Sequence, residues 1–243
     1  MTRSALTVGV LGGMGPEATV DFMARVVALT GGVTDQDHVR MLVDHNPRVP
    51  NRQAAIRSGD GKDVCAALAA MAVGLERAGA DFLVMPCNSA HVFADAIREA
   101  VAIPLVSIID CALREVARGT PRARRAGVLA TDGLLATGLY QQALAAAGVE
   151  ALVPQGEELD RLMALIGRVK AGDKRRDVGE GMGTLAELLV SAGAEAIVAA
   201  CTEIPLVLPA ANVSAPVISS TEVLAAETVA LALGRATLPP QPG

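Results

Sequence analysis

Aromatic side chains are nearly missing from this 243-residue chain: they make up 2% of it, and Trp is absent. A core with so few rings has to be built from Ala, Val, Leu and Ile, which suits parallel strands covered by helices. Cysteine is sparse too. The 4 cysteines form no Cys-x-x-Cys pair and stand at no metal-ligand spacing with histidine, so no metal site is expected. Nor do they make a disulfide framework, and reduced thiols in a cytoplasmic protein are the expectation. Positive charge is in deficit: the net charge of −5 speaks against a nucleic-acid partner. The opening Met1-Thr2-Arg3-Ser4, followed by a short apolar run and a Gly-rich loop, has the form of neither a signal peptide nor a membrane span.

What the chain does have is a stretch that occurs twice. Ala78-Gly79-Ala80-Asp81-Phe82-Leu83-Val84-Met85-Pro86-Cys87-Asn88 is echoed by Ala192-Gly193-Ala194-Glu195-Ala196-Ile197-Val198-Ala199-Ala200-Cys201-Thr202. Each copy reads Ala-Gly-Ala-acid, an apolar run, then Cys and a small polar residue. The offset is 114 residues, 201 minus 87, in every column.

Taken in order, apolar runs and helical stripes alternate. Leu6–Leu11 reads as a buried strand, and Gly12-Gly13-Met14-Gly15-Pro16 as a loop with Pro opening a helix to about Leu29. That helix should bury Phe22, Met23, Val26 and Val27. Val39–Val43 is a strand, and the Pro-rich segment Pro47–Arg52 an irregular loop. Helix Val64–Arg77, strand Phe82–Met85, helix Ala90–Val101 and strand Ile103–Ser107 follow. Arg118–Arg125 reads as a basic, solvated linker between halves. The pattern then restarts at Gly127-Val128-Leu129-Ala130-Thr131-Asp132-Gly133. Helix Leu134–Ala147, strand Glu150–Val153, helix Leu159–Lys170, helix Met182–Ala192, strand Ala196–Ala200, strand Ala215–Ser219 and helix Glu222–Leu233 complete it, and Leu238–Gly243 reads as a frayed tail.

This pattern predicts an α/β fold of two pseudo-symmetric Rossmann-like domains, each a mostly parallel sheet flanked by helices. The expected domains are residues 1–113 with 220–243, and residues 114–219. Ligands of such sheets bind beyond the carboxyl ends of the strands. The expected active site is therefore an interdomain cleft with Cys87 and Cys201 on opposite sides. Cys65 and Cys111 have no echo and fit helical patterns, so they read as core residues.

Two opposed thiols suggest acid–base chemistry at one carbon. A thiolate, favoured by the helix or turn beginning after each Cys, can remove the α-proton of an amino acid. The opposite thiol returns a proton to the other face, and the stereocentre inverts. Donors at Asn88, Ser89 and Thr202 would stabilise the enediolate. No cofactor is required. Among the other candidates, Arg52 is a loop cation suited to gripping a carboxylate. Lys170 ends an amphipathic helix. Glu203 either orients a proton on Cys201 or stands at a solvated helix start. Thr131 is a donor on the second opening loop, and His91 reads as a packed or capping side chain.

These residues resemble the cofactor-independent aspartate/glutamate racemases, on the branch of aspartate racemases and broad-specificity amino-acid racemases. The matching stretches are Gly12-Gly13-Met14-Gly15-Pro16, Val49-Pro50-Asn51-Arg52, Met85-Pro86-Cys87-Asn88-Ser89-Ala90-His91, Val169-Lys170-Ala171-Gly172 and Cys201-Thr202-Glu203. The resemblance implies an isomerase that works without pyridoxal phosphate, with Cys87 and Cys201 catalytic. It implies Met14, Arg52, Asn88, Ser89, Thr131, Lys170, Thr202 and Glu203 around an amino-acid substrate, Arg52 and Lys170 holding carboxylates. It also implies a homodimer. Asn51, Ser89 and Ala200 stand where that family commonly has Asp, Thr and Gly, which bears on substrate choice more than on the reaction.

Other readings compete. Relatives that isomerise maleate, racemise hydantoins or decarboxylate arylmalonates are built on the same fold. Gly13-Met14-Gly15-Pro16-Glu17-Ala18 formally matches a dinucleotide-binding G-x-G-x-x-A, with Asp44 as the ribose acid. Pro16 counts against it by removing an N–H from the phosphate turn. A two-domain amino-acid binding module would need the cations but not the thiols.

Overall fold

In the computed structural model, residues 5–119, 122–208 and 210–240 are described. The expectations for Met1–Ser4, for Thr120-Pro121 of the basic segment and for the last three residues of the tail lie outside them. The chain divides into two compact units: one ends at Ile108 and resumes at Thr221, the other runs Ile109–Ser220.

In the first unit, strand β1 (Val8–Gly12) leads to helix α1 (Pro16–Thr30), β2 (Met41–His45), α2 (Arg52–Ser58), α3 (Lys62–Arg77), β3 (Phe82–Val84), α4 (Ala94–Ala100) and β4 (Leu105–Val106). Helix α5 (Ile108–Arg118) then opens the second unit, followed by β5 (Arg125–Leu129), α6 (Asp132–Ala136), α7 (Leu139–Ala146), β6 (Glu150–Leu152), α8 (Gly156–Lys170), α9 (Arg176–Ser191), β7 (Ala196–Ala199) and β8 (Val217–Ser219). Helix α10 (Ser220–Ala232) returns the chain to the first unit. The sheets have the same order, β2-β1-β3-β4 and β6-β5-β7-β8. Every pairing is parallel. The α/β architecture expected from the alternation is present twice.

The repeat extends to packing. On β1, a Cβ at Gly9 would stand 2.7 Å from Leu83 and 3.2 Å from Leu75 of α3. On β5, a Cβ at Gly127 would stand 2.6 Å from Ile197 and 3.0 Å from Leu189 of α9. Each glycine lets a helix lie directly on its sheet. Carboxylates pin equivalent loops. Asp81 accepts the Thr7 N–H at 2.7 Å, as Glu195 accepts that of Arg125 at 3.1 Å. Glu76 on α3 accepts from Ala102 and Ile103 before β4, as Glu187 on α9 accepts from Ser214 before β8. Fully buried Leu, Val and Ile fill each core, joined in the first by Phe22 and Phe82, at about 1.5–3 kcal/mol per large side chain.

Several expected elements are displaced. Segment Pro47–Arg52 is not wholly irregular: Asn51 caps α2 by accepting the Ala54 N–H, and Arg52 is the first residue of that helix. The buried face of α1 is Ala18, Thr19, Phe22, Val26 and Thr30, while Val27 is 48% exposed. Helix Leu134–Ala147 is two helices, broken where Gly138 takes φ 71°. The basic segment joins α5 to β5 inside the second unit rather than linking the units. Among the described residues, no helix is long and apolar enough to cross a membrane.

Candidate active site

In the first unit, β3 ends at Val84 and the chain turns so that the Cys87 N–H reaches the Met85 carbonyl at 2.8 Å. Cys87 belongs to the same buried core cluster as Met14, Val49 and Ala90, and the expected substrate-contacting Met14 is only 3% exposed. Asn88 is buried at the start of a short 3-10 turn, Ser89–Phe93. Gln53 on α2 donates to the Ser89 hydroxyl at 2.7 Å, which ties α2 to the cysteine turn. Arg52 donates to the carbonyls of Val49 and Pro50, both at 3.0 Å. These bonds fold its guanidinium back on the loop that precedes it.

His91 fixes the Cys87 backbone. Its Nε2 accepts the Ile108 N–H at 3.2 Å, so the ring proton sits on Nδ1 and is donated to the Cys87 carbonyl at 2.8 Å. Burial pushes its pKa down to about 4 from 6.5. With both nitrogens engaged the ring is a packed, capping group. Above pH 6.5 the ring is neutral whether the chain is folded or not. Below it, the unfolded chain takes up a proton that the folded ring refuses until about pH 4. Stability from this ring is therefore complete above pH 6.5 and drains away as pH falls, by on the order of 3 kcal/mol. Urea unfolding across that window should show a shallower loss for His91→Asn, which keeps a donor but does not titrate. Equal slopes would remove His91 as the cause.

In the second unit, β7 ends at Ala199 and the Ala200 N–H bonds the Leu129 carbonyl of β5 at 2.9 Å. The buried Cys201 thiol donates to Glu203 Oε2 at 3.0 Å, and the Thr202 hydroxyl donates to the same oxygen at 3.3 Å. Lys170, the last residue of α8, brings Nζ to 3.9 Å from Glu203 Oε1. Thr131 is buried at the residue before α6. The next residue, Asp132, donates its N–H to Met163 Sδ of α8 at 3.3 Å. Buried Tyr140 of α7 lies in the electrostatic reach of Cys201, and burial raises its hydroxyl's pKa.

The expectation of an acidified thiol fails at Cys201. Burial pushes its pKa well above 9, and the Glu203 carboxylate adds to the rise; Lys170 opposes both. The chain beyond Cys201 makes only a short 3-10 turn, Ile204–Leu206, so no long helix dipole is available to stabilise a thiolate. Cys201 rests as a thiol.

The Asp/Glu/Hydantoin racemase profile matches residues 11–228. The chain belongs to that family. The broad-specificity amino-acid racemase RacX of Bacillus subtilis is 30% identical to it over 226 residues, covering 91% of this chain and 96% of that protein. The aspartate racemase of Picrophilus torridus superposes with a TM-score of 0.83 at 27% identity, covering 93% of this chain and 94% of that one. An aspartate racemase homologue from Pyrococcus horikoshii, 24% identical, shares the fold with a TM-score of 0.75 over 93% of this chain and 98% of its own.

Within this racemase-family chain, membership sets aside the dinucleotide-binding reading of the first glycine loop. Here Gly13 donates its N–H to Thr19 Oγ1 at 2.8 Å, which leaves that donor inside the fold. Among the described residues, no group of three or more His, Cys, Asp or Glu is placed to hold a metal ion. Two neighbours of the site carry little signal in the sequence, Gln53 and Tyr140. Gln53 follows Arg52 in the first turn of α2, and the Asn51 helix cap is the one local sign of it. Tyr140, the lone tyrosine of the chain, had no pattern around it.

Proposed function

We propose that the protein is a cofactor-independent amino-acid racemase that interconverts L- and D-aspartate, L- and D-glutamate, or both. Cys87 and Cys201 serve as its two acid–base groups. The thiolate of one takes the α-proton: the Cα–H bond breaks, an S–H bond forms, and the electron pair moves into the carboxylate as an enediolate. The thiol of the other gives its proton to the opposite face of Cα. Asn88, Ser89, Thr131 and Thr202 supply donors, Arg52 and Lys170 hold carboxylates, Met14 lines the apolar side, and Glu203 manages the Cys201 proton. The family resemblance supports a homodimer working in the cytoplasm.

One observation carries this reading. Two sheets of identical order each follow their third strand in sequence, β3 or β7, with a buried cysteine and a small polar residue. The test is loss of the α-hydrogen in D₂O without added pyridoxal phosphate, first with aspartate, then glutamate, then a wider amino-acid panel. Chiral chromatography follows the opposite enantiomer. Deuterated, inverted product is expected. If no amino acid exchanges its α-proton, the reading is wrong.

A further inference from the structure

Cys87 and Cys201 hold equivalent places in the repeat, yet their polar neighbours differ. Two residues beyond Cys87 stands Ser89, whose hydroxyl takes a hydrogen bond from the Gln53 amide. Two residues beyond Cys201 stands Glu203, a carboxylate only 5% exposed. A carboxylate can take a proton at neutral pH, whereas a serine hydroxyl does not. The second thiol therefore has a proton acceptor built beside it.

Glu203 is shared between two partners. Oε2 receives the Cys201 thiol at 3.0 Å, while Oε1 faces Lys170 Nζ at 3.9 Å. That ion pair is long, and its partners are unequally sheltered: the lysine side chain is 44% exposed and the glutamate 7%. A flexible ammonium at such a distance can turn to another anion.

We propose that Glu203 is the proton acceptor of Cys201, and that Lys170 gates the transfer by leaving Glu203 for the carboxylate of an arriving substrate. This deepens the racemase reading and rests on it. With Lys170 near, its ammonium and the Cys201 thiol share the Glu203 carboxylate, and Cys201 keeps its proton. When Lys170 turns away, the competing cation is gone and the carboxylate is left to the thiol proton alone. The Cys201 S–H bond breaks, an O–H bond forms on Glu203, and the negative charge passes to sulfur. The thiolate then takes the α-proton. Glu203 gives its proton to solvent as product leaves and Lys170 returns. In the opposite direction the steps reverse: Glu203 takes a proton from solvent as substrate binds, Cys201 gives its proton to Cα, and Glu203 then passes its own to the thiolate.

The test uses Cys87→Ser protein, in which inversion cannot finish. Its ultraviolet thiolate absorbance is followed at neutral pH while the L- and D-enantiomers of aspartate, and separately of glutamate, are added. A rise is expected. It should vanish when Glu203→Gln or Lys170→Met is added, and Glu203→Asp should keep part of it. In the protein with both cysteines, Glu203→Gln should lower kcat by roughly 10²-fold with little change in KM. No rise with either amino acid, or a full rise in the Glu203→Gln protein, overturns the gate. α-Deuteration by the unaltered protein is measured alongside. Its absence would sink the racemase reading itself, whereas its presence with Glu203→Gln at full rate sinks the gate alone.

Discussion

Replacing either Cys87 or Cys201 with alanine will lower the racemisation rate by roughly 10²–10⁴-fold or more, the range for losing a positioned acid or base. The two losses will not add, because each thiol is useless for inversion without the other. The variants should nonetheless differ from a misfolded protein. Both cysteines are small, buried side chains, and truncation to alanine removes a single sulfur from each core. Cooperative unfolding should survive. A remaining thiol can still remove an α-proton on its own face and return a deuteron there. Each variant is therefore expected to exchange one enantiomer without inverting it, and the two variants should favour opposite enantiomers. Chiral separation followed by mass spectrometry reads both quantities. Full inversion rates in both variants would end the two-thiol mechanism.

The largest effect on stability is expected from Gly13→Ala. Gly13 stands after β1 with φ 91°, where an L side chain is strained. Its new Cβ would lie 2.4 Å from the Asn46 carbonyl carbon and 2.6 Å from the Asn46 nitrogen. Those are backbone atoms just past β2, and they cannot swing aside as a side-chain tip can. Relief would cost the bond from the Asn46 N–H to the Gly12 carbonyl, now 3.2 Å. Strain and overpacking together should cost on the order of 3 kcal/mol or more. Gly31→Ala is the matched control. It also has positive φ, 65°, but nothing lies within 4 Å of its Cβ, so about 1 kcal/mol is expected. Urea midpoints compare them, and equal shifts would show that the contact with Asn46 is unimportant.

The alternation of strands and helices, the duplication and the placing of both cysteines after strands were legible in the sequence because each rests on local periodicity. What stayed hidden was set by tertiary contacts. Helix α2 is too short to show a stripe, and the prolines at 47 and 50 masked the Asn51 cap. Helix α9 starts at Arg176, not at the expected Met182, so its first turns run through Gly179 and Gly181. At Gly179 a Cβ would stand 2.5 Å from the Val207 carbonyl oxygen, so close packing required glycine despite its low propensity. The state of Cys201 differs from the expectation for a similar reason. A helix-end argument considers the backbone nearby in sequence, while the thiol answers to its burial and to the Glu203 carboxylate. The Glu203–Lys170 pairing joins residues far apart in sequence, and no spacing rule reveals it.

The first unit is assembled from two separated pieces of chain. The Leu6 N–H bonds the Ala232 carbonyl at the end of α10, and Arg25 of α1 pairs with Glu222 of α10 at 3.4 Å. During synthesis, then, the half that is made first is finished last: it is complete only when α10, made after the whole of the second half, has left the ribosome. The continuous second half has no such delay, and a chain cut off after residue 220 would keep that half whole beside an incomplete first one.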